Sequence, residues 1–361
     1  TNSPHLHIKC VHSCTPFERT RCPRTQSCTP SRMPIVTKLT RALGIQHPIV
    51  QGGMHYVGYA QLAAAVSDAG GLGIITALTQ PTPEDLRREI QKCRSLTSKP
   101  FGVNLTLLPV GVTPDYRAYA QVIIDEKIPV VETAGRNPKE WIQLFKSAGI
   151  IVIHKCVAIR HAQTAERLGA DFISMDGYEC GGHPGEEDVT NLVLLARARE
   201  VLKIPFIASG GLANGYQLAA VLALGAEGIN MGTRFMATVE APIHENIKKT
   251  LVTATERDTT HIFRTLSNTE RVYKNQTALK VREIEAEKPG DFEAIRHLVM
   301  GKFYKESFQE TGDAQSSVWS CGQSIGLIHD IPTCKQLINQ IVADAEQAIN
   351  NSSRMLVSSK L

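Results

Sequence analysis

The chain has 361 residues, 42% of them hydrophobic, and a formal net charge of +4. No apolar run reaches the roughly 18 residues of a membrane span, and the length exceeds the roughly 250 residues of a typical (β/α)8 barrel, leaving about a hundred for extensions. Five basic residues and one acid, Glu18, within residues 1–32 account for all of the net charge, so the rest of the chain is neutral and offers no basic surface for nucleic acid.

Residues 1–32 carry Cys10, Cys14, Cys22 and Cys28 with no apolar periodicity. They lack the h-region of a secretory signal and contain no Cys-x-x-Cys pair for zinc; no metal site is expected. They read as a disordered leader or translated upstream sequence ahead of Met33. The expected location is cytoplasmic, or mitochondrial if this acid-poor stretch is a transit peptide. Cys93, Cys156, Cys180, Cys321 and Cys334 are scattered, as reduced thiols are.

From there, apolar and β-branched runs recur at 48–53, 71–76, 101–107, 129–133, 150–155, 171–176, 205–209 and 227–232. Segments of helical spacing lie between them, at 61–66, 83–93, 141–148, 162–168 and 217–224. Strand followed by helix, with continuously apolar strands, predicts a parallel sheet buried on both faces, and eight such units predict a (β/α)8 TIM barrel over 33–250. A doubly wound sheet would place a glycine-rich turn after an early strand, whereas Gly70-Gly71-Leu72-Gly73 precedes its apolar run. Residues 251–361 show no strand and helix repeat. They read as a small, polar helical cap over the active site, with a loop at 319–324 and an amphipathic stretch at 334–349.

In a barrel, chemistry collects where strands end. The seventh and eighth runs end in Ser209-Gly210-Gly211 and Gly232-Thr233, small residues that let backbone N–H groups approach a phosphate. The fifth ends in His154-Lys155, with Lys155 aimed either at the barrel mouth or at an ion pair with Glu132 or Asp176. The sixth ends in Asp176. The next loop holds His183 between Gly182 and Pro184, where it could serve a ligand or be a satisfied loop histidine. Glu186, Glu187 and Asp188 read as a solvated helix start and are assigned no chemistry.

Six motifs in order carry a resemblance. They are Gln51-Gly52-Gly53-Met54, Asn104-Leu105-Thr106, His154-Lys155-Cys156, Asp176-Gly177 with Gly181-Gly182-His183-Pro184-Gly185, Ala208-Ser209-Gly210-Gly211, and Asn230-Met231-Gly232-Thr233-Arg234-Phe235. Across residues 33–349 the chain resembles the nitronate monooxygenase (2-nitropropane dioxygenase) family, FMN-dependent barrels that include NADH:quinone oxidoreductases. The resemblance implies that alkyl nitronates are oxidised with O2 by way of a flavin semiquinone, or that NADH and a quinone are the substrates. It implies His183 and Lys155 as catalytic residues. Gly53, Met54, Asn104, Thr106, Lys155, Asp176, Gly181, Gly182, Ser209, Gly210, Gly211, Gly232, Thr233 and Gln323 would contact FMN, and Pro109, Tyr56 and the residues around Trp319 would shape access. A homodimer is one expected assembly. An inosinate-type dehydrogenase would need a catalytic cysteine, and Cys180 lacks the flanking pattern.

Overall fold

The computed structural model describes residues 34–107 and 113–356. The leader reading for 1–32 and the access role of Pro109 therefore lie outside the described residues.

Eight parallel strands form one sheet: β1 (Ile49–Gln51), β2 (Gly73–Thr76), β3 (Phe101–Leu107), β4 (Val130–Gly135), β5 (Ile151–Cys156), β6 (Phe172–Asp176), β7 (Phe206–Ser209) and β8 (Ile229–Met231). β1 pairs with β8, and the Gln51 and Leu72 amides donate across to the Leu72 and Ile49 carbonyls, so the sheet closes into a barrel. All eight apolar runs of the sequence are strands here, because a strand covered on both faces must be apolar at consecutive positions.

The helices are α1 (Lys38–Leu43), α2 (Ala60–Asp68), α3 (Pro83–Leu96), α4 (Tyr116–Asp125), α5 (Lys139–Ser147), α6 (Ile159–Arg167), α7 (Asn191–Val201), α8 (Gly215–Ala223), α9 (Thr233–Met236), α10 (Glu245–Thr253), α11 (Gln276–Glu287), α12 (Phe292–Val299), α13 (Gly301–Glu306) and α14 (Cys334–Ser353). Three apolar clusters are separate, the smallest joining Ile262, Val272 and Val281. The largest lies between strands and helices, while Val50, Ile74, Val130, Ile153, Phe172 and Ile207 join Leu39 and Leu43 of α1 in a second. Above that apolar layer, strand residues turn polar: Asn104, Glu132, Ser174 and Asn230 are all buried.

The segment read as a helical cap also holds an antiparallel hairpin, β9 (Thr259–Ile262) and β10 (Glu270–Tyr273), in which Ile262 pairs with Glu270. Four-residue strands with partly polar sequences carry too little periodicity to stand out from helical surroundings. The amphipathic stretch at 334–349 is α14, which packs on α8 and α2 and so completes the outer ring. A Cβ at Gly215 would sit 2.1 Å from the Ile341 carbonyl oxygen, so α8 and α14 meet backbone to backbone. Among the described residues no helix is long and apolar enough to cross a membrane.

Candidate active site

The strand ends surround a cavity of about 870 Å³, near the top of the roughly 300–1,000 Å³ range of small-molecule sites. His183, Lys155, Gly53, Met54, Thr106, Asp176, Gly181, Gly182, Ser209, Gly210, Gly211, Gly232 and Thr233 all line it. Asn104 and Gln323 do not. Asn104 is buried, and Gln323 is half-buried with its amide donating to the Glu179 carbonyl. Trp319 itself is fully buried and stacks on Tyr273 with ring centroids 4.6 Å apart, whereas its neighbours Ser320, Gly322 and Ser324 line the cavity, as does the cap aromatic Tyr304.

The turn after β7 is left-handed at both Gly210 (φ 84°) and Gly211 (φ 72°). Their Cβ positions are taken as well: each would fall 2.6 Å from a Cβ, that of Cys180 or of Glu179 respectively. Asn191 Nδ2 donates to the Ser209 and Gly210 carbonyls and fixes the turn. Among the described residues the Gly211 and Gly232 amides meet no acceptor. Buried or semi-buried N–H groups are almost always paired, so two orphan donors at the ends of adjacent strands fit a phosphate-bearing cofactor. The Thr233 hydroxyl instead accepts the Gly322 amide at 2.9 Å and ties the 319–324 loop over the turn.

Both alternatives read for Lys155 are realised. It lines the cavity, and its Nζ lies 3.3 Å from Asp176 Oδ1 and 3.4 Å from Ser209 Oγ. Burial pulls the Lys155 pKa down, but the Asp176 and Glu132 carboxylates outweigh it and hold the ammonium above its ordinary range. Burial raises the Asp176 carboxyl despite the lysine beside it. Glu132 is fully buried and accepts from Gly53 N (3.0 Å), Asn104 Nδ2 (2.8 Å) and Asn230 Nδ2 (2.7 Å). Sequence reasoning treated Glu132 only as an ion-pair alternative. The signal was available as a carboxylate inside an apolar run, which at full burial requires partners. Because Glu132 takes the Gly53 amide, Gly53 can serve a ligand through its shape but not through its N–H. Buried His154 is held by Thr133 Oγ1 at 2.9 Å, and burial lowers its pKa to about 4. His55, a cavity residue that sequence reasoning missed, is solvent-exposed, with its Nδ1 3.3 Å from Thr79 Oγ1.

His183 is half-buried and makes no side-chain hydrogen bond among the described residues, so its ring is free for a ligand. Cys180 also lines the cavity, but burial raises its thiol well above the ordinary range, which leaves it protonated and a poor nucleophile. Glu186, Glu187 and Asp188 are solvent-exposed, as expected, but they do not start a helix. Helix α7 begins later, at Asn191, and the three acids bond to Thr269, Arg160 and Arg264 respectively.

The family model for nitronate monooxygenase matches residues 36–344. The chain belongs to the nitronate monooxygenase family. FabK of Thermotoga maritima superposes on this family member with a TM-score of 0.82 at 39% identity, over 89% of this chain and 100% of that one. A nitroalkane oxidase of Streptomyces ansochromogenes gives 0.75 at 28% identity, over 87% and 99%. A substituted octahydro-indene-carboxyl-CoA dehydrogenase of Rhodococcus jostii is 33% identical over 87% of this chain and 97% of its own length. The family assignment makes this chain a flavin-dependent oxidoreductase.

Proposed function

We propose that the chain binds FMN in the barrel mouth and oxidises alkyl nitronates with O2. The observation that carries this reading is one cavity that joins two orphan amides after β7 and β8, a charged lysine and an unpaired histidine. When bound, FMN would supply the redox centre that takes electrons from substrate and passes them to O2. The Gly211 and Gly232 amides would receive its phosphate. Lys155 would place positive charge beside the ring, and the Asp176 contact fixes that ammonium in place. Gly53 and Met54 would lie along the ring, with Thr106 and Ser209 as polar neighbours. His183 holds or moves the proton. Neutral, its imidazole accepts the α-proton of a nitroalkane; protonated, it pairs with the nitronate.

A second reading is oxidation or reduction of a CoA-linked substrate. The Rhodococcus relative's name and the cavity volume favour it, since a short nitronate beside FMN would fill little of about 870 Å³. NADH:quinone reduction is the third. Anaerobic mixing of the purified yellow protein with propane-2-nitronate, NADH or an acyl-CoA, while following the visible flavin band, separates them. Bleaching by nitronate alone, with O2 uptake on admission of air, is expected. Bleaching by NADH and recovery with a quinone, or bleaching only by an acyl-CoA, would replace the nitronate reading.

A further inference from the structure

The loop that carries His183 closes its two ends on each other through the Tyr178 amide and Val189 carbonyl, but the stretch around the histidine is held from outside. Between β6 and α7 it crosses to the β9 and β10 hairpin, which is contributed by residues some eighty positions further along the chain. Besides contacts at Tyr178, three fasteners make the crossing. Gly182 and Arg271 exchange backbone hydrogen bonds in both directions, at 3.1 and 2.6 Å. Glu186 receives both the amide of Thr269 (2.8 Å) and its hydroxyl (2.5 Å). Asp188, itself at φ 53°, takes both terminal nitrogens of Arg264 at 3.0 and 3.2 Å.

The first two fasteners bracket His183, one residue before it and three after. Both end on residues that cannot drift. Thr269 is 1% exposed and Arg271 3% exposed, and the Arg271 guanidinium donates to the Tyr178 carbonyl and Thr259 hydroxyl while lying 4.7 Å over the Tyr178 ring. Gly182, at φ 79°, gives the loop its turn, and Pro184 stiffens the other side of the histidine. His183 has no side-chain partner of its own, so its backbone alone sets where the imidazole stands. Both carboxylate oxygens of the exposed Glu186 are taken by one buried threonine, and Glu186 does not line the main cavity.

We propose that the β9 and β10 hairpin sets the position of His183, with Glu186 and Thr269 as positioning residues that act through it. This rests on the proton role assigned to His183 above. Misplacement of a catalytic group by about 1 Å costs up to roughly 10²-fold in rate, and releasing one of two anchors is expected to cost about tenfold.

The test uses the flavin-loaded, full-length protein. Glu186→Ala and Thr269→Val are made in the wild-type and His183→Ala backgrounds. Amide hydrogen exchange of the peptides spanning 178–190 is read alongside turnover. In the wild-type background kcat should fall about tenfold in Glu186→Ala, and by less in Thr269→Val, which keeps the amide bond to Glu186, with KM and flavin content unchanged, and exchange should quicken in this loop but not in the barrel strands. Glu186→Gln, which keeps an acceptor for the Thr269 amide, should recover most of the rate. In the His183→Ala background the same changes should cost nothing further, because the group they position is gone. A full tenfold loss in that background, or unchanged exchange in Glu186→Ala, overturns the proposal while leaving the role of His183 intact. Wild-type turnover in His183→Ala itself would remove the proton role, and the positioning claim with it.

Discussion

Gly211→Ala should weaken cofactor binding through a single methyl group. At φ 72° an alanine is in the left-handed region, which costs about 1–2 kcal/mol. Its Cβ would stand 2.6 Å from Glu179 Cβ, and that atom cannot swing away, because it is attached to a backbone whose carbonyl holds the Gln323 amide. Relieving the overlap costs about 1–3 kcal/mol more and moves the turn. The displaced Gly211 amide then loses alignment with the phosphate, a charge-assisted bond of about 1.5–3 kcal/mol, equivalent to a roughly 10- to 100-fold weaker cofactor. Gly169→Ala is the control. Gly169 has φ 95° with nothing within 4 Å of its Cβ position, so it carries the backbone strain without the overlap and lies outside the cavity lining. Flavin content after purification, FMN titration by fluorescence and the thermal midpoint are compared for the two variants. If Gly211→Ala keeps full flavin and melts with Gly169→Ala, the phosphate turn has been placed wrongly.

Two further outcomes follow from buried titratable groups. His154 has a folded pKa of about 4 against the usual 6.5, so the folded state favours its neutral form. Stability should be level above pH 6.5 and decline as pH falls toward 4, by at most about 3 kcal/mol; urea midpoints across this window test it, and a midpoint that rises on acidification would contradict the assignment. Lys155→Met would strand the Asp176 carboxylate in a site that already raises its pKa, costing about 3–5 kcal/mol at neutral pH. The loss should shrink at lower pH, where a carboxyl of raised pKa binds its proton, and Asp176→Asn added to Lys155→Met should restore stability at pH 7. A double variant no more stable than Lys155→Met would show that the charge pair is not what the lysine supports.

Local physics was sufficient for much of the molecule. Eight continuous apolar runs are legible because each barrel strand is covered on both sides. The turns at Gly210 and Gly211 are legible because few other residues tolerate their backbone angles, and the order of the six motifs pointed to the family before any coordinate was placed. What could not be read were associations between distant parts of the chain. Glu132 announces itself as a carboxylate in an apolar strand, yet its donors at Gly53, Asn104 and Asn230 are 79, 28 and 98 residues away and converge only when the barrel closes. The β9 and β10 strands are four residues each, too short to show a period, and their grip on the His183 loop is a contact between segments with no sequence relation. The sequence by itself determined the kinds of elements and the chemistry available at the strand ends, since both follow from local periodicity and backbone freedom. Only the tertiary structure decided which buried charges share a site and what holds the histidine there, since those depend on closure of the sheet and the return of the chain across its mouth.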